Sequence, residues 1–152
     1  MLKVRLATKS DKNEILLINP LLSKTIITYR LSQQEKKEAE YLVIDDGIHL
    51  LGQVFLKWYG KQTHPEYPDI ENIYIKGSER GKGYGALLVK ECEKRTKDKG
   101  YSKIGLAVNH EVNCPEQKLY RKLGYRHDGK STYTLELYPG IKERVIDMEK
   151  SL

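Results

Sequence analysis

Leu2, Val4 and Leu6 alternate with Lys3 and Arg5, the period of a half-buried strand. Thr8 and Asp11 then stand three apart like an acidic capping box, and Ile15, Leu16, Ile18 and Leu22 give a helical stripe interrupted by Pro20. The stretch from Asn19 to Tyr29 is therefore expected as two short helical pieces joined by a bend. Ser32 and Glu35 form a second capping box that predicts a helix start, with Glu35-Lys36-Lys37-Glu38 as its solvated face. Tyr41 to Ile44 and Leu50 to Tyr59 are β-rich runs flanking the turn Asp45-Asp46-Gly47, a hairpin pattern. Gly60 to Pro68 has no period and reads as a loop, with His64 exposed in it and without a role.

The second half is more regular. A strand from Asp69 to Lys76 runs into a glycine-rich turn, after which Tyr84, Leu87, Leu88 and Cys92 recur at helical spacing until Gly100 ends the pattern. Ile104, Leu106 and Val108 alternate as another strand, so strand, helix and strand make a crossover unit with parallel strands. Asn113-Cys114-Pro115-Glu116 predicts a helix start, with Asn113 as the cap, Pro115 at the second helical position and Glu116 as N3. Leu119, Tyr120 and Leu123 are its apolar side. Tyr133, Leu135 and Leu137, then Val145, Ile146 and Met148, predict a closing pair of strands across Tyr138-Pro139-Gly140. This order implies an α/β chain with a mixed sheet and helices on its faces.

At 152 residues the chain fits one domain, spanning 1–152, with a core that needs neither metal nor disulfide. Its two cysteines, Cys92 and Cys114, suit a reducing compartment, and Met1 to Arg5 carries charges inside its first apolar run, unlike a signal peptide or a membrane span. A cytoplasmic location is the expectation. The net charge of +6 comes from 27 basic residues interspersed with 21 acidic ones, which gives little support to nucleic-acid binding and suits a polyanionic small ligand as well.

Candidate chemistry begins at the turn. Gly81, Gly83 and Gly85 alternate between the end of a strand and the start of a helix, with Arg80 and Lys82 among them. Glycines allow positive φ and close approach, the first N–H groups of a helix lack internal partners, and the helix dipole adds positive charge. The stretch is an anion site. Spacing excludes two phosphate loops. A nucleotide P-loop needs four residues between its first glycine and the Gly-Lys pair, whereas Gly77 and Gly81 enclose three; a dinucleotide fingerprint needs G-x-G-x-x-G, whereas this chain has G-x-G-x-G.

Arg80-x-x-Gly83-x-Gly85 resembles the Q/R-x-x-G-x-G/A signature of the GNAT superfamily of acetyl-CoA-dependent N-acetyltransferases, and a second match follows it. Leu106-Ala107-Val108 with Asn113-x-x-Glu116-x-x-Leu119-Tyr120-x-Lys122-Leu123-Gly124-Tyr125 is similar to the family's L-x-V…N-x-x-A-x-x-L-Y-x-K-x-G-F pattern. The chain departs from it at Pro115, Glu116, Tyr125 and Gly77. Together with the element order, the resemblance covers essentially the whole chain and implies a mostly antiparallel sheet with a central parallel pair.

The resemblance also implies a reaction: direct acetyl transfer from acetyl-CoA to a primary amine, a small molecule in preference to a protein, through a tetrahedral intermediate and without a metal. It assigns coenzyme A binding to Arg80, Gly81, Lys82, Gly83, Tyr84, Gly85 and Ala86, to the backbone of Ile73 and Ile75, and to Asn113. Tyr120 is the counterpart of the family's general acid, either protonating the departing sulfur or stabilising the thiolate by a hydrogen bond. Glu71, placed by strand alternation on the same side as Ile73 and Ile75, is the candidate base, with a cation subsite or an exposed strand end as its alternatives. The expected partners are acetyl-CoA and an amine, not nucleic acid or membrane, and a homodimer stays open. A catalytically weak coenzyme A-binding or regulatory domain is the competing reading, raised by Glu116.

Overall fold

The computed structural model describes residues 1–152. Eight strands form one sheet: β1 (Lys3–Leu6), β2 (Ala39–Asp45), β3 (Leu50–Lys57), β4 (Asp69–Ile75), β5 (Lys103–Asn109), β6 (Arg126–His127), β7 (Tyr133–Tyr138) and β8 (Ile141–Ser151). Four helices flank it: α1 (Lys12–Ile18), α2 (Lys24–Glu35), α3 (Tyr84–Asp98) and α4 (Pro115–Lys122). The strand order is β1-β2-β3-β4-β5-β8-β6, with β7 also on β8. Only β4 and β5 are parallel. The fold is thus the mixed α/β sheet expected from the pattern.

The continuous apolar run of β2 follows from burial on both sides of the sheet. Leu42 and Ile44 join Val54, Leu56, Ile70 and Leu106 in one core, where Leu88, Val89 and Cys92 of α3 pack. Tyr41 and Val43 join Phe55 in the other, beneath Ile15 and Ile18 of α1 and Ile27 and Leu31 of α2. Each fully buried Leu or Ile contributes about 2 kcal/mol. Gly83 at φ 86 and Gly100 at φ 100 bound α3 in the left-handed region that admits glycine at least cost.

Several local expectations fail. Asn19 to Tyr29 does not form two short helical pieces: a connection leads from α1 into α2, which runs unbroken from Lys24 to Glu35. Ser32 and Glu35 end α2 rather than begin a helix, because the helix has already started at Ser23, whose Oγ accepts the Ile26 N–H at 3.2 Å. His64 is buried, not exposed. Its Nε2 lies 2.7 Å from Asp128 Oδ2 and its Nδ1 2.9 Å from Glu66 Oε1. The loop that carries it folds over β5, where the Tyr67 ring occupies the space a side chain at Gly105 would need.

One irregularity in the sheet positions everything that follows. β4 pairs with β5 only at Asp69 with Gly105 and Ile70 with Leu106, and beyond Ile70 the two strands separate. Along β3 the register slips between Gln53 and Phe55, opposite Asn72, whose φ of 58 marks a bulge.

Candidate active site

The glycine turn begins where β4 ends. Lys76 to Arg80 is a single 3-10 turn with its flanks, and α3 starts at Tyr84. From Arg80 through Ala86 no N–H donates to another backbone group, and the first such bond is Leu87 N–H to the Gly83 carbonyl at 3.1 Å. A side chain at Gly81 or Gly83 would meet nothing within 4 Å, so the turn is open at both glycines. Both glycines have positive φ, 79 and 86, the region that glycine adopts at least cost. Lys82 is paired with Glu79 at 2.9 Å, and the Arg80 guanidinium lies 5.0 Å from the centre of the Tyr74 ring, with its Nε on the Ile75 carbonyl at 3.1 Å. The turn fits a phosphate-bearing ligand, since it offers backbone N–H groups without a backbone partner at the start of a helix.

On the same face, α4 closes against α3. Leu119 comes within 3.9 Å of where a side chain at Gly85 would begin. Ile73, Ile75, Tyr84, Tyr120 and Cys114 all pack against the core under α3 and α4, so the structure brings together the predicted donor-side residues of β4, the turn and α4. Tyr120 stands edge-on to Tyr125 with ring centres 6.1 Å apart. Burial, with the nearby Glu116 charge second, pushes its phenol up to about 12. The Glu116 charge therefore adds to burial in disfavouring the phenolate of Tyr120. Asn113 is not the helix cap: Cys114 takes that position without a side-chain hydrogen bond, Pro115 is the first helical residue, and Asn113 stands one residue outside.

Glu71 is on the other face. Its strand partner is Phe55, which belongs to the core under α1 and α2, whereas Ile73 and Ile75 belong to the core under α3 and α4. The alternation expected from Glu71 to Ile75 is broken by the extra residue at Asn72. The Glu71 carboxylate, 41 % exposed, lies 3.1 Å from Lys57 Nζ and 3.9 Å from the Arg30 guanidinium. Donor cradle and candidate base thus sit on opposite sides of the sheet, next to the place where β4 and β5 part.

Sequence reasoning missed the polar cluster around the bulge. Arg30, only 5 % exposed, donates to Tyr41 Oη, Gln53 Oε1 and Asn72 Oδ1 at 3.1 to 3.2 Å and covers the Tyr41 and Phe55 rings at 5.3 Å. The sole local sign was Asn at position 72, a residue type that tolerates the left-handed region. A second cluster joins His64 and Asp128 to Asp147, which accepts from Thr63 and Tyr133 at 2.6 Å and lies 3.5 Å from Lys61. One ligand-type atom each of His64, Asp128 and Asp147 lies within 4.8 Å of the others, but protein donors already engage them, and we read the cluster as an ion-pair network.

Comparison with known proteins finds relatives both in sequence and in fold. The family model described as Acetyltransferase (GNAT) family matches residues 13–125. A thialysine N-epsilon-acetyltransferase of Sus scrofa is 32% identical over 80 residues, which are 53% of this chain and 44% of that protein, so the match spans under half of the relative's length. Among solved structures, a ribosomal-protein-alanine N-acetyltransferase from Brucella melitensis superposes with a TM-score of 0.79 at 16% identity, covering 99% of both chains. The PaiA N-acetyltransferase of Thermoplasma acidophilum, in complex with coenzyme A, gives 0.74 at 16% identity over 100% of this chain and 99% of that one. No helix here is long and apolar enough to cross a membrane.

Proposed function

Because the chain belongs to the acetyltransferase (GNAT) family, we propose that it transfers the acetyl group of acetyl-CoA directly to the primary amine of a small molecule. The observation that carries this reading is the run of unpartnered N–H groups from Arg80 to Ala86, set where β4 and β5 separate. The pyrophosphate takes the cradle, assisted by Arg80 and Lys82. The pantetheine arm then lies along the backbone of Ile73 and Ile75, which β5 leaves unpaired, past Asn113. The amine arrives from the face of Glu71 and attacks the thioester carbonyl through the gap. A C–N bond forms, the C–S bond breaks through a tetrahedral intermediate, and one ammonium proton must leave.

Glu71 takes that proton, directly or through water. At the sulfur, a phenol near 12 and a thiol near 8.5 differ by about 3 to 4 units, so complete proton transfer from Tyr120 is uphill by roughly 5 kcal/mol. Tyr120 therefore acts chiefly by donating a hydrogen bond that stabilises the departing thiolate. The identity of the Sus scrofa relative supports an amino-acid amine as the first acceptor class to examine, since thialysine carries its reacting amine on a flexible side chain.

Thiol release from acetyl-CoA, followed with a panel of lysine-like amines, polyamines and aminoglycosides, tests the reading. Turnover with at least one of these amines is expected. With Tyr120→Phe we expect kcat to fall about 10²-fold while acetyl-CoA affinity stays within about threefold. An unchanged kcat would remove Tyr120 from the chemistry, and no turnover on the whole panel with acetyl-CoA still bound would favour a coenzyme A-binding or regulatory role.

A further inference from the structure

Asn72 is a non-glycine residue held at φ 58, and its polar groups are held too. Its Nδ2 donates to Tyr138 Oη at 2.7 Å, and its Oδ1 accepts from Arg30 at 3.1 Å and from Gln53 Nε2 at 3.2 Å. Its main-chain carbonyl accepts from the same Gln53 Nε2 at 2.6 Å. Gln53 is fully buried, and its Oε1 accepts from Tyr41 at 2.7 Å and Arg30 at 3.2 Å. The Tyr138 hydroxyl also takes a bond from Asn19 Nδ2 at 2.9 Å. Groups from α2, β2, β3, the end of β7 and the residue after α1 therefore converge on one peptide unit of β4.

That convergence has a directional consequence. In a planar trans peptide the carbonyl of one residue and the N–H of the next point opposite ways. With the Asn72 carbonyl fixed on Gln53, the Ile73 N–H is aimed away from Gln53. Ile73 lies beyond Ile70, the last residue of β4 paired with β5, and its side chain packs on the same core as Tyr120. A backbone N–H of β4, here that of Ile73, as donor to the acetyl oxygen, where negative charge develops as the amine attacks, belongs to the GNAT family's reaction; we propose that Gln53 and Asn72 are the positioning residues that fix its direction in this chain. This rests on the acetyl-CoA reading above. A donor fixed in direction before the reaction stabilises the oxyanion without reorganising, and losing one such donor commonly lowers kcat 10²- to 10³-fold. Positioning residues do not touch substrate, so partial misalignment should cost about tenfold or more.

Two variants separate positioning from packing. Gln53→Glu retains acceptors for Tyr41 and Arg30 and removes the donor to the Asn72 carbonyl. Asn72→Gly retains the left-handed backbone and releases Arg30 and Tyr138. With the full chain, we would record the infrared carbonyl band of acetyl-CoA labelled with carbon-13 at the thioester, together with coenzyme A affinity, melting temperature, kcat and KM. In the unaltered protein the band is expected to move to lower frequency on binding; in Gln53→Glu that displacement is lost, kcat falls about 10- to 100-fold, and coenzyme A affinity stays within about twofold. If Gln53→Glu does not fold, Asn72→Gly is read by the same criteria. A band still displaced in the folded variants, with kcat retained, overturns the proposal. So does a parallel loss of coenzyme A affinity and melting temperature that accounts for the whole fall in kcat. Failure of the unaltered protein to bind acetyl-CoA would be a different result, overturning the acetyltransferase reading itself.

Discussion

The two faces of β4 are built in contrasting ways. On the face of α3 and α4, the glycine turn is one uninterrupted stretch, Arg80 to Ala86, and offers mainly backbone N–H groups. On the face of α1 and α2, Asn19, Arg30, Gln53, Asn72 and Tyr138 come from separate elements and work through side chains. A backbone cradle needs only glycines and a helix start, so it is written locally. A side-chain cluster exists only once the sheet has assembled. In the proposed reaction, the local face holds the donor and the assembled face meets the acceptor.

If the faces are this separate, damage to one should spare the other. The largest effect is expected from Gly83→Asp. It forces a side chain into φ 86 and adds negative charge at the first turn of α3. Acetyl-CoA affinity should fall at least about 100-fold by calorimetry, because the new carboxylate occupies the turn and repels phosphate there. The melting temperature should fall by a few degrees at most, from the backbone strain at φ 86 alone, because that side chain would meet no neighbour within 4 Å. Retained affinity would remove the cradle from the donor site.

Glu71→Gln tests the other face and should have a smaller effect. It keeps the shape of the side chain and removes the carboxylate that faces Lys57 and Arg30. Acetyl-CoA affinity should be unchanged within about twofold, and kcat/KM for the amine should fall about 10- to 30-fold at neutral pH. The loss should shrink as pH rises toward the amine's own pKa, because an already neutral amine needs no base. A loss independent of pH would instead assign Glu71 to binding the substrate cation.

The same contrast explains what could be read in the chain before its fold was known. The cradle, the stripe of α3 from Tyr84 to Cys92 and the alternation of β5 depend on near neighbours, and all three were legible. The side of the sheet taken by Glu71 was not. Asp69 to Ile75 looks like an ordinary strand, and the bulge at Asn72 that reverses the alternation is stabilised by Arg30 and Tyr138, 42 and 66 positions away. Ser32 and Glu35 misled for a different reason: a capping spacing favours a helix start but also recurs by chance inside a helix begun earlier. The burial of His64 depended on Asp128, 64 positions away, and no pattern within the loop announces it.

That histidine also yields the smallest expected effect, in stability and not in chemistry. Burial lowers its affinity for a proton, but the hydrogen bonds to Asp128 and Glu66, aided by the Asp147 charge, outweigh this, and the imidazole is raised above its usual value near 6.5. Both ring nitrogens face carboxylates, so the doubly protonated ring satisfies both, whereas the neutral ring turns a lone pair toward one of them. A group whose folded pKa is raised contributes its full stabilisation below the unfolded value and loses it as pH climbs through the folded value. The loop from Gly60 to Pro68 should therefore be held most firmly below about pH 6 and loosen above the raised folded value. His64→Gln should lower stability by about 1 to 2 kcal/mol at pH 6, a fall of a few degrees in melting temperature, and by clearly less at pH 9. Acetyl-CoA affinity should stay the same at both pH values, since none of the His64 contacts involves the cradle. Equal destabilisation at both pH values would show that the ring contributes packing on Tyr67, whose ring centre lies 5.1 Å away, and not charge.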